Sequence, residues 1–332
     1  MHMADALVSP LVAGTLYACS AVAAGYSIKK VEATDLTHKI PLMGVMGAFV
    51  FATQMINFTI PGTGSSGHLC GGMLLSAILG PYAGFLTMTT VLTIQCLLFA
   101  DGGLLALGCN VWNMGFYGCF VGGYLVWNLF MRRGVSRGRI VAASVIGAVV
   151  SLLMGAFSVT LETLASGITE LPFSVFLGFM LPIHLVIGLV EGLITAAVLL
   201  FVYEARPQLL VDHFEETDAD NRWSVTAVVV VLAAVTLVIG GLFSLYASSN
   251  PDGLEWSMLQ TAGVTELETG GSIYQWVGEL QESTALLPDY SFKGTESATG
   301  TSFSGIVGAL VVLACCIVGS LLLKRKVNES RR

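Results

Sequence analysis

Apolar residues in this chain come in long runs, without the two-residue alternation of half-buried strands or the one-sided periodicity of surface helices. The runs occupy residues 7–28, 40–60, 69–99, 104–130, 138–166, 174–203, 223–247 and 305–323. As helices, runs of 18 residues or more cross a hydrocarbon core of about 30 Å. The pattern predicts an all-α polytopic membrane protein. The breaks between runs carry the positive charge: Lys29-Lys30, then Arg132, Arg133, Arg137 and Arg139, then Lys324-Arg325-Lys326 with Arg331-Arg332. Before the first run there is Asp5 and no Lys or Arg. Basic residues stay on the cytoplasmic side, so the N-terminus is expected outside and the C-terminus inside a prokaryotic cell (inner) membrane.

That rule decides one ambiguous segment. If 69–99 crossed once, the arginines at 132 and 133 would fall outside. A break at Gly80-Pro81 turns 69–79 and 82–99 into a helical hairpin and places every basic cluster inside. Residues 1–203 then hold seven helices, and residues 223–323 hold two more that flank an external loop. The first arm of the hairpin is too short to span and is expected to be re-entrant or tilted.

Composition agrees: of 332 residues, 55% are hydrophobic and 11% charged, with a mean hydropathy of +0.79. The 38 glycines suit close helix packing, as do Ala13, Gly14, Ala18, Ala21, Ala24 and Gly25 on the first helix. Seven cysteines fall in apolar stretches without a CxxC pair, which predicts buried, inert thiols. The chain divides into 1–205, a polar cytoplasmic linker at 206–222, and 223–332. Loop 248–304 holds eight acids against Lys293 and reads equally as a cation-attracting surface or as an ordinary solvated loop.

The chemistry concentrates at the start. Met1-His2 offers a terminal amine, the His2 backbone nitrogen and the His2 imidazole, three nitrogens that close adjacent chelate rings on a Ni(II)- or Cu(II)-like ion. No basic n-region or small-residue cleavage site marks a signal peptide, and Met before a large second residue is retained, so the mature chain is expected to begin at Met1. The loop Pro61-Gly-Thr-Gly-Ser-Ser-Gly-His68 falls on the same outer face, where His68 completes a four-nitrogen plane. Ser65, Ser66 and Thr63 are placed to orient the imidazole. Gln95, Asp101, Asn110 and Asn113 lie at the outer end of the next hairpin, as supports of the site or as packing groups. His184 and Glu191 lie seven apart on one helix face and read as a packing pair or a functional one. Metal affinity is expected to fall below about pH 6.5, where free imidazoles protonate.

The residues also carry a resemblance. Met1-His2, Ser65-Ser-Gly-His68-Leu-Cys-Gly-Gly72, Leu79-Gly-Pro-Tyr-Ala-Gly84, Phe99-Ala-Asp-Gly-Gly-Leu104, Leu107-Gly-Cys-Asn-Val-Trp-Asn-Met114 and the stretch His184 to Thr195 resemble the CbiM/NikM family. These are substrate-binding (S) components of cobalt/nickel energy-coupling-factor (ECF) transporters. Asn250-Pro-Asp-Gly-Leu-Glu-Trp256 resembles the PDGLE module, a partner akin in role to the CbiN/NikN small subunit. The start departs from the family, with Met3-Ala4-Asp5-Ala6 where Ile-Pro-Asp-Gly is common. The resemblance implies a seven-helix S-component bundle and metal held by Met1, His2 and His68. It also implies a CbiQ/NikQ-like T component and two CbiO/NikO-like ATPases as partners in the lipid membrane. No cofactor beyond the transported Ni2+ or Co2+, and no nucleic acid, is implied.

The chain lacks HExxH, GxSxG and ATP-hydrolysis motifs, which sets an enzyme or metal-dependent protease aside. A stand-alone divalent-cation permease would need intramembrane acids along a path, and Glu162 and Glu191 are the ones inside helices. The favoured function is metal capture for an ATP-driven importer. These residues leave nickel and cobalt (for cobalamin synthesis) both open, with four planar nitrogens leaning toward nickel.

Overall fold

The computed structural model describes residues 1–32, 39–210, 222–267, 270–294 and 298–330. Most of the linker predicted at 206–222, and with it its acidic residues, lies outside the described residues. The architecture is all-α. Among the described residues six helices are long and apolar enough to cross a membrane: α1 (Pro10–Glu32), α4 (Pro81–Phe99), α5 (Leu107–Met131), α6 (Arg137–Ser166), α7 (Phe173–Ala205) and α11, whose apolar part is Thr299–Arg325. Two shorter apolar helices are α2 (Ile40–Gln54) and α8 (Val225–Gly241). The fold also contains α3 (Gly72–Leu79), α9 (Gly253–Ala262), α10 (Ser272–Thr284) and the full extent of α11 (Ala298–Ser330).

The hairpin expected at Gly80-Pro81 is present. Gly80 takes φ 85°, ψ 160°, a conformation costly for residues with a side chain, and Pro81 opens α4, where its missing N–H costs nothing. α3 is about 12 Å long and buried along its whole length, so it ends inside the bundle. Both ends of the hairpin return to one place: the loop before α3 carries His68, and the turn after α4 carries Asp101. Residues Val111–Val126 of α5 are wound as a π-helix, and Gly118 meets Gly72 so closely that a Cβ on either would lie 2.8 Å from the other's Cα. Gly188 and Gly192 of α7 bring its backbone onto Val149 and Val145 of α6 in the same way.

The apolar run 40–60 is not one helix. α2 stops at Gln54, and Phe58–Ile60 (β1) pairs antiparallel with Ser65–Gly67 (β2), Thr59 opposite Ser66. Pro61 and the left-handed Gly62 and Gly64 make the turn, and only this reversal brings His68 back over the bundle.

The second module wraps α2. Gly44 and Gly47 of α2 receive Ile317, Cys316 and Val312 of α11, and Gly240 of α8 abuts Gly305 of α11. The described residues of the acidic segment 248–304 form α9, α10, a 3-10 turn at Pro288–Tyr290 and the start of α11, and they lie on the bundle: Tyr274 Oη donates to Val8 O, and Gln281 Nε2 donates to Gly102 O at 2.7 Å. Of its two readings, a plain solvated loop is the one the fold replaces. α1, α5 and α11 all start beside this end and run away from it. Lys29-Lys30, Arg132-Arg133 and Lys324-Arg325 therefore gather at the opposite end. Five of the seven cysteines are buried as expected, while Cys19 and Cys315 face outward from α1 and α11.

Candidate metal site

The N-terminus is threaded into the bundle rather than left loose. Asn110 holds Met3 at both main-chain atoms: its Oδ1 accepts from Met3 N at 2.7 Å and its Nδ2 donates to Met3 O at 3.1 Å. Gly103 N donates to the same carbonyl at 2.9 Å, and Ala106 N donates to Asp5 Oδ1 at 2.9 Å. A side chain at position 103 would overlap Asp5, so this approach requires glycine. The Met1 side chain descends toward Gly155, where its methyl meets the layer of Asn113.

This seat delivers the Met1 amine to His68, with the nitrogen 2.8 Å from His68 Nε2. His68 Nδ1 donates to Leu69 O at 3.0 Å, which leaves Nε2 as the lone-pair nitrogen aimed at the amine. His2 stacks on His68 with ring centroids 5.1 Å apart. A chain of bonds runs to its ring. Tyr290 Oη donates to Asp101 Oδ2, Gln95 Nε2 donates to Tyr290 Oη at 3.2 Å, and Gln95 Oε1 is left facing His2 Nε2 at 3.3 Å. His2 Nε2 and Nδ1 thus each face an oxygen, and the nitrogen a chelate through the His2 backbone requires is Nδ1. Asp101 Oδ1 stands 3.1 Å from that atom.

Burial, and then the N-terminal ammonium, push both His2 and His68 down to about 3. The imidazoles are thus neutral long before an ion arrives. Proton competition expected from them near pH 6.5 is therefore not set by these imidazoles. Depressed histidines also set a stability trend. Below the free value of 6.5 the unfolded chain takes protons that the folded one refuses, so stability is lost as pH falls from 6.5 toward 3. Glu255, raised to about 7 by burial and then by Asp252, works in the opposite direction. Comparing melting temperatures of wild type and His68→Gln at pH 7 and about 4.5 isolates the histidine part. The wild type is expected to lose about 2 kcal/mol more than the variant. Equal slopes would refute the buried neutral imidazole.

The remaining predicted residues divide. Ser65 and Ser66 do not orient His68. Ser66 N donates to Pro251 O and Ser66 Oγ to Asn250 O, both at 2.8 Å, while Ser65 Oγ bonds Ser66 O at 3.1 Å, so they hold the second module. Thr63 O accepts from Trp256 Nε1 at 2.9 Å for the same purpose. Asn113 lies a layer below, donating to Glu162 Oε2 at 2.8 Å. His184 and Glu191 do not contact one another. His184 Nδ1 bonds Met180 O and its ring lies against Gly253, while Glu191 accepts from Cys70 N at 2.8 Å and Gly71 N at 2.9 Å.

The residue that sequence reasoning missed is Asp252. Its Oδ2 accepts from the Met1 amine at 2.5 Å, while its Oδ1 accepts from Leu254 N and Glu255 N at the start of α9. Burial pushes its carboxyl up, but the Met1 ammonium and then His68 overcome that and hold it well below the usual carboxylate range. The signal was present as Asp252-Gly-Leu-Glu255, a capping-box spacing that marks a helix start inside the supposed loop. A cavity of about 460 Å³ opens over the site, lined by Asp5, Asp101, Asp252, Glu255, Glu266 and Asp289. Among the described residues no three His, Cys, Asp or Glu side chains form a metal cluster. The nitrogens that converge here belong to two imidazoles and to the main chain of Met1 and His2.

Residues 2–209 match the family model CbiM, described as a cobalt uptake substrate-specific transmembrane region, and residues 226–325 match the PDGLE domain. The chain belongs to the CbiM family. It is 37% identical over 322 residues to an Archaeoglobus fulgidus protein named as a fused nickel transport protein, NikMN, covering 95% of this chain and 96% of that one. It is 32% identical over 220 residues to the cobalt transport protein CbiM of Geobacter sulfurreducens, covering 63% of this chain and 61% of that one. A crystal structure of a truncated transition metal transporter superposes with a TM-score of 0.55 at 31% identity, covering 61% of this chain and 99% of that chain. Like these relatives, the CbiM-family chain is a multi-pass membrane protein of the nickel and cobalt transport group, here fused to PDGLE.

Proposed function

We propose that the protein is the metal-capturing S component of an ECF-type importer, taking Ni2+ or Co2+ from the outer face through the Met1 amine, the His2 amide nitrogen, His2 Nδ1 and His68 Nε2. The observation that carries this reading is the 2.8 Å separation of the Met1 amine and His68 Nε2. Metal–nitrogen bonds of about 2.0–2.1 Å place neighbouring corners of a square plane about 2.9 Å apart, so these two atoms already stand as adjacent ligands. The acid-lined cavity draws cations toward them. Four nitrogens, one of them an ionised amide, favour late first-row ions; the name of the fused A. fulgidus relative supports nickel over cobalt.

The basic ends of α1, α5 and α11 support a cytoplasmic C-terminus and an external N-terminus in the cell (inner) membrane. With no ATP-hydrolysis motif in the chain, energy comes from two CbiO/NikO-like ATPases through a CbiQ/NikQ-like T component. α1 leaves an apolar face uncovered for such a membrane partner, Leu11 and Val22 being 81% and 73% exposed. A secondary permease finds little support, because Glu162 and Glu191 are committed to Asn113 and to the Cys70 and Gly71 amides. Cells expressing the chain with the T component and ATPases are expected to accumulate radiolabelled nickel, and His68→Ala is expected to abolish the uptake. Undiminished uptake by the chain alone would favour the permease.

A further inference from the structure

Asp252 is placed for more than capping. Its carboxylate is split between two tasks. Oδ1 accepts from Leu254 N at 2.8 Å and Glu255 N at 3.0 Å, while Oδ2 lies 2.5 Å from the Met1 amine and 3.8 Å from His68 Nε2. Oδ2 is thus held by the α9 cap over the amine end of the edge that the two nitrogens share. An oxygen bonded above a four-nitrogen plane at about 2.1 Å stands about 2.9 Å from each neighbouring nitrogen. With the two nitrogens 2.8 Å apart, the observed 2.5 and 3.8 Å put Oδ2 over the amine, and a shift of about 1.5 Å toward His68 reaches that position.

The carboxylate and His68 also move as one piece. Pro251 O accepts from Ser66 N, Asn250 O from Ser66 Oγ, and Thr63 O from Trp256 Nε1, so the start of α9 is fastened to the hairpin that carries His68. Gly253 follows, pressed so tightly on His184 and Ile187 that a Cβ would lie 2.8 Å from the isoleucine methyl. Such fastening exceeds what a helix cap requires and is what a ligand position requires.

We propose that Asp252 Oδ2 is an apical oxygen ligand to the captured ion, so that the PDGLE module supplies part of the metal's own coordination. This rests on the Met1–His2–His68 reading above. Ni(II) and Co(II) then sit in five-coordinate N4O surroundings rather than a bare plane. The module becomes a direct determinant of which ion is held.

The test uses the full chain in detergent with its native Met1 amine, titrated with Ni(II) alone. Asp252→Asn is the informative variant, because asparagine caps a helix as well as aspartate and leaves α9 in place. The wild-type Ni(II) complex is expected to be paramagnetic, with one oxygen in its first shell by X-ray absorption. The variant is expected to bind about 10–100-fold more weakly and to become four-coordinate and diamagnetic. A wild-type complex that is already diamagnetic with nitrogen ligands only overturns the proposal whatever the variant does. So does a variant with unchanged affinity and first shell, and in both cases capture by Met1, His2 and His68 still stands. A wild-type chain that binds no Ni(II) removes that reading and this one together.

Discussion

A protein carrying one additional residue before Met1 is expected to lose high-affinity nickel or cobalt binding, by more than about 100-fold, while remaining folded in the membrane. The Met1 amine is enclosed, with Met1 only 5% exposed. It is contacted at once by His68 Nε2 at 2.8 Å and Asp252 Oδ2 at 2.5 Å. An extra residue changes that nitrogen from an amine with a free lone pair into a planar amide, and it adds atoms where those two partners stand. The seat cannot slide to accommodate it. Met3 is bonded by Asn110 and Gly103, and Leu7 and Val8 are fully buried. The register of the first eight residues is therefore fixed from behind. Calorimetric titration of a chain released to a native Met1, beside one retaining a single extra glycine, reads the difference. Equal affinity would show that the ion is held elsewhere. The comparison also separates the amine from the thioether, since Met1→Leu keeps the former and is expected to bind almost normally.

The meeting of Met1, His2 and His68 was legible in the sequence because they lie in two short stretches whose chemistry is local. Met1-His2 forms chelate rings by covalent connection alone, and Gly-rich residues before His68 announce a sharp turn. The Gly80-Pro81 break was legible because both residues act on the backbone where they stand. Charge at the helix ends then placed both stretches on one face. What was not legible depends on packing across modules. Ser65 and Ser66 adjoin His68 in sequence, yet their polar groups bond the Asn250 and Pro251 carbonyls, which only the folding of the second module brings beside them. His184 and Glu191 share a helix face, but two turns of helix leave each to a different neighbour. Asp252 looked like one of eight acids in a polar loop. Its role exists only because α9 begins there, and because the second module folds back across some 250 residues of chain to meet the first residue. Composition reports that an acid is present. It does not report which acid has an ammonium within reach.

Glu191→Ala is expected to be the most damaging single substitution outside the ligands, and for a reason unrelated to ion passage. Both Glu191 oxygens are committed: one accepts from Cys70 N and the other from Gly71 N, at 2.8 and 2.9 Å. These amides belong to the start of α3, where Gly71 turns through φ 81° and no side chain of the loop itself caps the helix. Removing the carboxylate leaves two buried donors without partners, at about 1–3 kcal/mol each, and opens a void between α7 and the loop. A loss of about 4 kcal/mol, large against the net stability of most folds, should lower the melting temperature clearly. His68 lies two residues before Cys70, so metal affinity should fall with it. Glu191→Gln keeps one acceptor and turns an NH2 toward the other amide, so it should fall between wild type and Ala on both measures. An ion-path carboxylate would behave differently: Gln would slow uptake as much as Ala, and neither would move the melting temperature. Graded loss of stability and affinity in step marks Glu191 as the anchor of the His68 loop, and an unchanged melting temperature in Glu191→Ala would return it to the list of transport residues.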